Sequence, residues 1–207
     1  ALQMRAGAGA PPPASFDDYV ISYMGSHIAN ATETSIWGGN DATAGEFTGF
    51  NTAAVGRLIG AGATQVSAFG APFVVGNIVD NLQTIAAAIP SAVYNKEDLY
   101  IYMSPKSYRL YISKVSSLGY VNMYNMNGEY EAVFEGIKLA VCPGMLDDEL
   151  VAAEKSNLFY GTDLLSDATR IDLLDMSTLD GSDNMRMVAR YSGGVQSGIA
   201  TDIVRLS

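Results

Sequence analysis

Leu99-Tyr100-Ile101-Tyr102-Met103-Ser104-Pro105-Lys106-Ser107-Tyr108-Arg109-Leu110-Tyr111-Ile112 reads as a buried strand that turns directly into a helix. The uninterrupted apolar and aromatic run 99–103 is the strand. Ser104 supplies a capping hydroxyl, and Pro105 stands at the first helical position, where its missing N–H leaves nothing unsatisfied. Tyr108, Tyr111, Ile112, Val115 and Leu118 then recur at helical spacing, and Gly119 is the natural stop. A strand feeding a helix this tightly predicts helices packed on a sheet.

Toward the N-terminus, Val75, Ile78, Val79, Leu82, Ile85, Ala86 and Ile89 form a second helical stripe, closed by Pro90. Before it lies a glycine-dense run with Gly56, Gly60, Gly62 and Gly70. Its segment 56–62 lacks both the Lys-Ser/Thr ending of a phosphate-binding loop and the spacing of a dinucleotide fingerprint, so it reads as a connection. Further back, Phe16, Tyr19, Val20, Tyr23, Met24, His27, Ile28 and Ala31 predict another helix, opened by Ser15 and Asp18 in a capping-box arrangement. Gly38-Gly39-Asn40-Asp41 after Trp37 is turn chemistry. Residues 1–14, rich in Ala, Gly and Pro, read as an arm or linker.

Toward the C-terminus, residues 120–131 are polar and rich in Asn and Tyr, which predicts an exposed turn or hairpin tip. Strands are expected at 130–134 and 137–142, a polar and partly helical stretch at 146–167, and strands again at 171–176, 185–191, 195–200 and 203–206. The class is α+β, with three helices on mixed, mostly antiparallel strands.

Composition narrows the function. The 207 residues carry 12 Lys+Arg against 22 Asp+Glu, a net charge of −10, and only Arg5, Arg57 and Lys96 are basic in the first hundred. That leaves no basic stripe to follow phosphates. An acidic wall can still line a container for nucleic acid, because it repels the packed polymer. Charged residues make up just 16%, which suits a surface partly hidden against neighbours. No run approaches a membrane span and no signal peptide is visible. Ala1 is not an initiator methionine, so the chain is expected to be a processed product or part of something longer.

Chemistry is sparse. Cys142, the lone cysteine, lies in an apolar run and reads as a small buried hydrophobe. His27, the lone histidine, lies on the first helical stripe and reads as a packing residue facing the core. Catalysis there would need a nucleophile and an orienting carboxylate beside it. Asp17-Asp18, Glu97-Asp98 and Asp147-Asp148-Glu149 read as caps or solvated faces near helix starts and turns. The segment 180–184 lacks the downstream Glu of a calcium loop. No catalytic residue, cofactor or metal site is expected. Eight of the twelve tyrosines fall between Tyr94 and Tyr130, where core packing and an interface are equally good readings.

The order of elements resembles the HK97-fold major capsid proteins of tailed double-stranded DNA bacteriophages. The helix from Phe16, the turn from Glu33 to Asp41 and Phe47-Thr48-Gly49-Phe50 are similar to that family's spine helix and following loop. The helix 76–89 and the strand, Ser-Pro, helix step at 99–105 resemble its axial domain. Glu135 to Gly144 resembles the strand returning to Pro143, and 157–163 with 194–199 the closing part of the peripheral domain. The likeness covers 15–207 and identifies the chain as the C-terminal two-thirds of such a protein. The N-terminal arm and extended loop that the family places before the spine helix are not recognisable. No Lys and Asn positions match those of the family's cross-linking branch.

The resemblance implies a division into an arm at 1–14, the spine helix and the start of the peripheral domain at 15–50, the axial domain at 51–145, and the end of the axial domain with the return strands at 146–207. It implies a subunit whose partners are its own copies, in pentamers and hexamers of an icosahedral shell that encloses DNA without specific binding. Scaffolding, portal and decoration proteins are further partners, and no membrane is involved. The location implied is the virion capsid, assembled in the cytoplasm of a bacterial host. Asn122, Tyr124, Asn125, Asn127 and Glu129 are the candidate contacts near the capsomer axis. Three other readings stay open: an encapsulin-like cellular compartment, an α+β hydrolase using the acidic pairs, and a tail or baseplate protein.

Overall fold

The structure, a computed structural model, describes residues 16–52, 55–119, 132–163, 171–176, 185–189 and 192–207. The chain forms two compact units, one of residues 1–31 and 162–192 and the other of 32–161 and 193–207.

The second unit is built on a six-stranded sheet. Its strands are β1 (Thr64–Val66), β2 (Leu99–Met103), β3 (Val133–Phe134), β4 (Ile137–Val141), β5 (Leu150–Glu154) and β10 (Val204–Leu206), in the order β1-β10-β5-β2-β4-β3. β1 runs parallel to β10 and β2 parallel to β4, while the remaining pairs are antiparallel, so the sheet is mixed. Thr64 pairs with Val204 at one edge, and Ile101 lies between Leu139 and Ala152 at the centre.

The strand–cap–helix reading holds. Leu99, Ile101 and Met103 are buried on one face of β2, whereas Tyr100 and Tyr102 are half-buried on the other. Ser104 Oγ accepts from Ser107 N at 3.3 Å and caps α4 (Pro105–Ser117), with Pro105 at its start. Gly119 ends the turn at φ +95°, a conformation that only glycine adopts without strain. α3 (Ile78–Ala88) lies with α4 over the same face, and Ile78, Leu82, Ile85, Tyr111 and Val115 pack with Ile101, Leu150 and Leu206.

The opposite face carries a second core. Trp37, Phe50, Leu58, Met145, Val151, Ala153, Val195 and Ile203 gather there. Trp37, near the end of α1 (Phe16–Gly38), packs at a tilt against Phe50, 5.7 Å between ring centres, and Tyr102, 5.4 Å. A short α2 (Arg57–Ala61) and the two-stranded ribbon of β6 (Leu158–Gly161) and β9 (Gly194–Ser197) complete this side. In the first unit, β7 (Ile171–Asp175) pairs antiparallel with β8 (Met185–Ala189).

Several expectations need correction. α1 runs on through Trp37 to Gly38, past the expected end at residue 31. α3 begins at Ile78, leaving Val75 exposed in the preceding loop. The stretch read as partly helical contains β5, buried along its whole length, then a 3-10 turn (Lys155–Asn157) and β6. Leu-Val-Ala-Ala-Glu has the local preference of a helix, but a place between β2 and β10 overrides it. The third stripe also overreaches, because Leu118 is exposed.

Candidate functional site

The fold disperses the carboxylates of the acidic pairs. Asp147 accepts from Ser104 Oγ at 3.0 Å and lies 3.5 Å from Lys106, so it belongs to the cap of α4. Asp148, at φ +65°, accepts from Phe73 N at 2.8 Å. Glu149 turns the other way to meet Arg205 at 2.9 Å. Three adjacent acids thus serve three different elements: Asp147 keeps the expected place at a cap, whereas Glu149, largely withdrawn from water, departs from it. Asp98 accepts from Ser156 Oγ, and this hydrogen bond is the main reason its carboxyl is held below the usual range. Next to it, Lys96 pairs with Glu154 at 2.6 Å.

A groove lined by Tyr94, Lys96, Glu97, Glu135 and Lys138 holds two carboxylates, Glu97 of the predicted acidic pairs and Glu135, with Lys96 and Lys138 among them. It brings in one member of the predicted pairs, not the two that were expected to meet if those pairs did general acid–base work. Among the described residues, no three His, Cys, Asp or Glu side chains gather to hold a metal ion. No described helix is long and apolar enough to cross a membrane.

His27 is exposed, contrary to its expected place against a core. It meets Tyr23 edge-on at 4.6 Å, and Tyr23 stacks on Tyr19 at 6.3 Å, one helical turn apart. The stripe on α1 is real, but Tyr23 is 53% exposed, and burial begins only near Ser35 and Trp37. Periodicity records which residues share a helix face, not whether anything covers it.

Cys142 is half-buried beyond the end of β4, against the second core. Burial pushes its thiol up to about 12, with Glu33 adding to the shift. Burial likewise raises the Tyr102 phenol, with smaller contributions from Cys142, Tyr100 and Asp98.

The described tyrosines divide between packing and surface. Tyr111 is buried, meets Phe134 edge-on at 6.1 Å and donates to Val133 O at 3.3 Å. Tyr108 packs beside the same core, whereas Tyr94 is exposed and donates to Glu135 O at 3.4 Å. The candidate axis contacts Asn122, Tyr124, Asn125, Asn127 and Glu129 lie outside the described residues, as does the expected tip at 120–131.

Two features were not visible in the sequence. One is the Arg205 centre on β10. Its guanidinium donates to Asn51 Oδ1 at 3.1 Å, Gln65 Oε1 at 3.1 Å, Ser207 Oγ at 3.0 Å and Glu149 Oε1 at 2.9 Å. This buried fork ties the loop after α1, β1, β10 and the entrance to β5 together. Desolvation raises the Glu149 carboxyl above its ordinary value, and Arg205 opposes that shift. Asn51 also favours the charged form, short of a complete hydrogen bond, since Asn51 Nδ2 and Glu149 Oε2 are both buried without a partner.

The other is the loop 67–76. Asn81, fully buried, accepts from Phe69 N at 2.6 Å through Oδ1. Asn77 accepts from Val74 N at 2.8 Å and donates to Gly70 O at 2.9 Å and Pro72 O at 3.2 Å. Phe73 is the buried anchor, and Asp148 holds its amide. Yet Phe69, the other phenylalanine of the loop, is 62% exposed, with Val74 and Val75 exposed beside it. The loop is thus fixed from beneath while it displays apolar side chains. The Asn77–Asn81 spacing at the start of α3 was the one signal that could have pointed to it.

No protein-family model and no curated protein matches the chain by sequence. Its fold does have solved counterparts. A structure from Mycobacterium phage Che8 matches with a TM-score of 0.63 at 13% identity, over 93% of this chain and 63% of that one. A chain of the satellite phage P4 procapsid, a structure that includes the size determination (Sid) protein, matches at 0.52 and 11% identity, over 94% and 64%. This chain therefore spans a little under two-thirds of each. The α+β, capsid-like fold expected from the sequence is the fold of this chain.

Proposed function

We propose that this chain is a shell-building subunit, the HK97-fold major capsid protein of a tailed bacteriophage, which assembles with its own copies into pentamers and hexamers around double-stranded DNA. The observation that carries the reading is the fold likeness, which extends over 93% of the chain to a phage structure and 94% to a procapsid chain. Charge supports it as well. A chain of net charge −10 repels packaged DNA from the wall and has no need of a basic groove. Carboxylates committed to caps and cross-links fit a structural role better than a hydrolytic one.

In this reading residues 51–145 form the axial domain and residues 146–207 its end together with the return strands of the peripheral domain, with 122–129 near the capsomer axis. The shell resides in the virion and is put together in the bacterial cytoplasm, with scaffolding, portal or decoration proteins joining it. The test is particle mass by light scattering with negative-stain imaging on the full-length polypeptide. Closed shells or fivefold and sixfold rings are expected. A species that stays monomeric at high concentration, with partner proteins supplied, would overturn the reading.

A further inference from the structure

We propose that copies of this chain join head to tail along α3. Phe69, in the loop at the N-terminal end of that helix, seats in the groove at its C-terminal end on the next copy. This rests on the shell reading and adds the surface that makes the junction.

The first argument is charge. Residues 58–95 contain a single charged side chain, Asp80, in a protein of net charge −10. Two copies of an acidic chain repel wherever acidic surfaces meet. The exposed residues of this run, among them Phe69, Val74, Val75 and Ala87, bring almost no charge of their own to such a contact. Nucleic acid is a poor occupant, since 58–95 offers no cation to a phosphate.

The second argument is preorganisation. Asn77, Asn81 and Asp148 hold the backbone of the loop, and the buried Phe73 anchors it, so Phe69 is presented with little left to order on binding. An exposed aromatic ring on a fixed support is the kind of group that dominates an interface.

The third argument is the receptor. A groove of about 500 Å³ lies between the end of α3 and Glu135, lined by Ala86, Ala87, Ile89, Ser91 and Tyr94 among others. Its small side chains leave room for a ring, and Glu135 is its only charged lining residue. The loop and the groove sit at opposite ends of an 11-residue helix, ~16 Å apart along its axis. Two different patches on one chain make a heterologous contact, which closes into a ring when the rotation per step allows it.

The test uses two full-length variants, Phe69→Glu and Ala87→Glu. Both positions are exposed, so each variant keeps its fold, checked by circular dichroism. At a concentration where the parent forms rings, each variant alone is expected to lose ring mass by on the order of tenfold or more. Mixed one to one, they are expected to form dimers and stop there. The intact groove of Phe69→Glu accepts the intact loop of Ala87→Glu, and no second junction remains. Ring formation by either variant at the parent's level, or a mixture that stays monomeric or closes full rings, overturns the head-to-tail junction and leaves the shell reading standing. A parent that never assembles overturns both.

Discussion

Arg205 Nη2 lies 2.9 Å from Glu149 Oε1, with both side chains largely withdrawn from water, so a charge on β10 is neutralised from the entrance to β5. Each group makes the other's burial tolerable. Arg205→Ala is expected to cost about 3–5 kcal/mol, because it strands a desolvated carboxylate. Replacing both, as Arg205→Met with Glu149→Leu, is expected to cost clearly less than the single change. Urea unfolding midpoints of the two variants check this, and equal losses would contradict it. The raised Glu149 carboxyl adds a pH signature. Its contribution is fully present below its ordinary value of 4.5 and declines as pH rises through the higher folded value. Glu149→Gln is expected to remove that decline.

Cys142 gives a second test. Its folded thiol titrates near 12 against an ordinary 9.0, so burial favours the neutral form. The associated stability is fully present below pH 9 and is lost as pH rises through about 12. At pH 8 the folded protein is expected to alkylate at least about tenfold more slowly than the urea-unfolded chain, because the smaller thiolate fraction outweighs the higher nucleophilicity of a less acidic thiol. Intact-mass measurement over time decides it, and equal rates in the two states would refute the burial argument.

Glycine separates close approach from mere flexibility. A Cβ on Gly144 would fall 2.5 Å from Glu33 C and 2.7 Å from Thr34 N, both backbone. Gly144→Ala is expected to destabilise by about 1–3 kcal/mol through overpacking. A Cβ on Gly60, inside α2, meets nothing within 4 Å. Gly60→Ala is expected to stabilise by about 0.4–1 kcal/mol by restricting the unfolded chain. Calorimetry on the pair should show shifts of opposite sign.

The legible parts of the fold were those with local causes. Ser104, Pro105 and Gly119 announce α4 because capping chemistry acts within one turn. Leu99–Met103 announces β2 because five apolar and aromatic residues in a row need cover on both sides. β5 was misread because Ala152, Ala153 and Glu154 favour helix locally, and only pairing with β2 and β10 makes them a strand. β1 is three residues in a glycine-rich run, too short to show a period. The Arg205 centre joins Asn51, Gln65 and Glu149, groups up to 154 positions away, and no local pattern encodes such a meeting. For the proposed contact surface, the lack of charge in 58–95 was readable, but the exposure of Phe69 was not.

The strand order also fixes a timetable for synthesis. β1 has β10 as its one neighbour in the sheet, and β10 separates it from β5. A ribosome releases residues 64–66 long before residues 204–206, so β1 waits without its partner while β2 to β9 are made. Until Val204–Leu206 emerge, the nascent chain carries an open β5 edge and unfilled space beside Leu150 and Ala152, two residues that pack in one core with Val204 and Leu206. Completion of this sheet is therefore keyed to β10, and a chain stalled before residue 204 should be held by chaperones as unfinished.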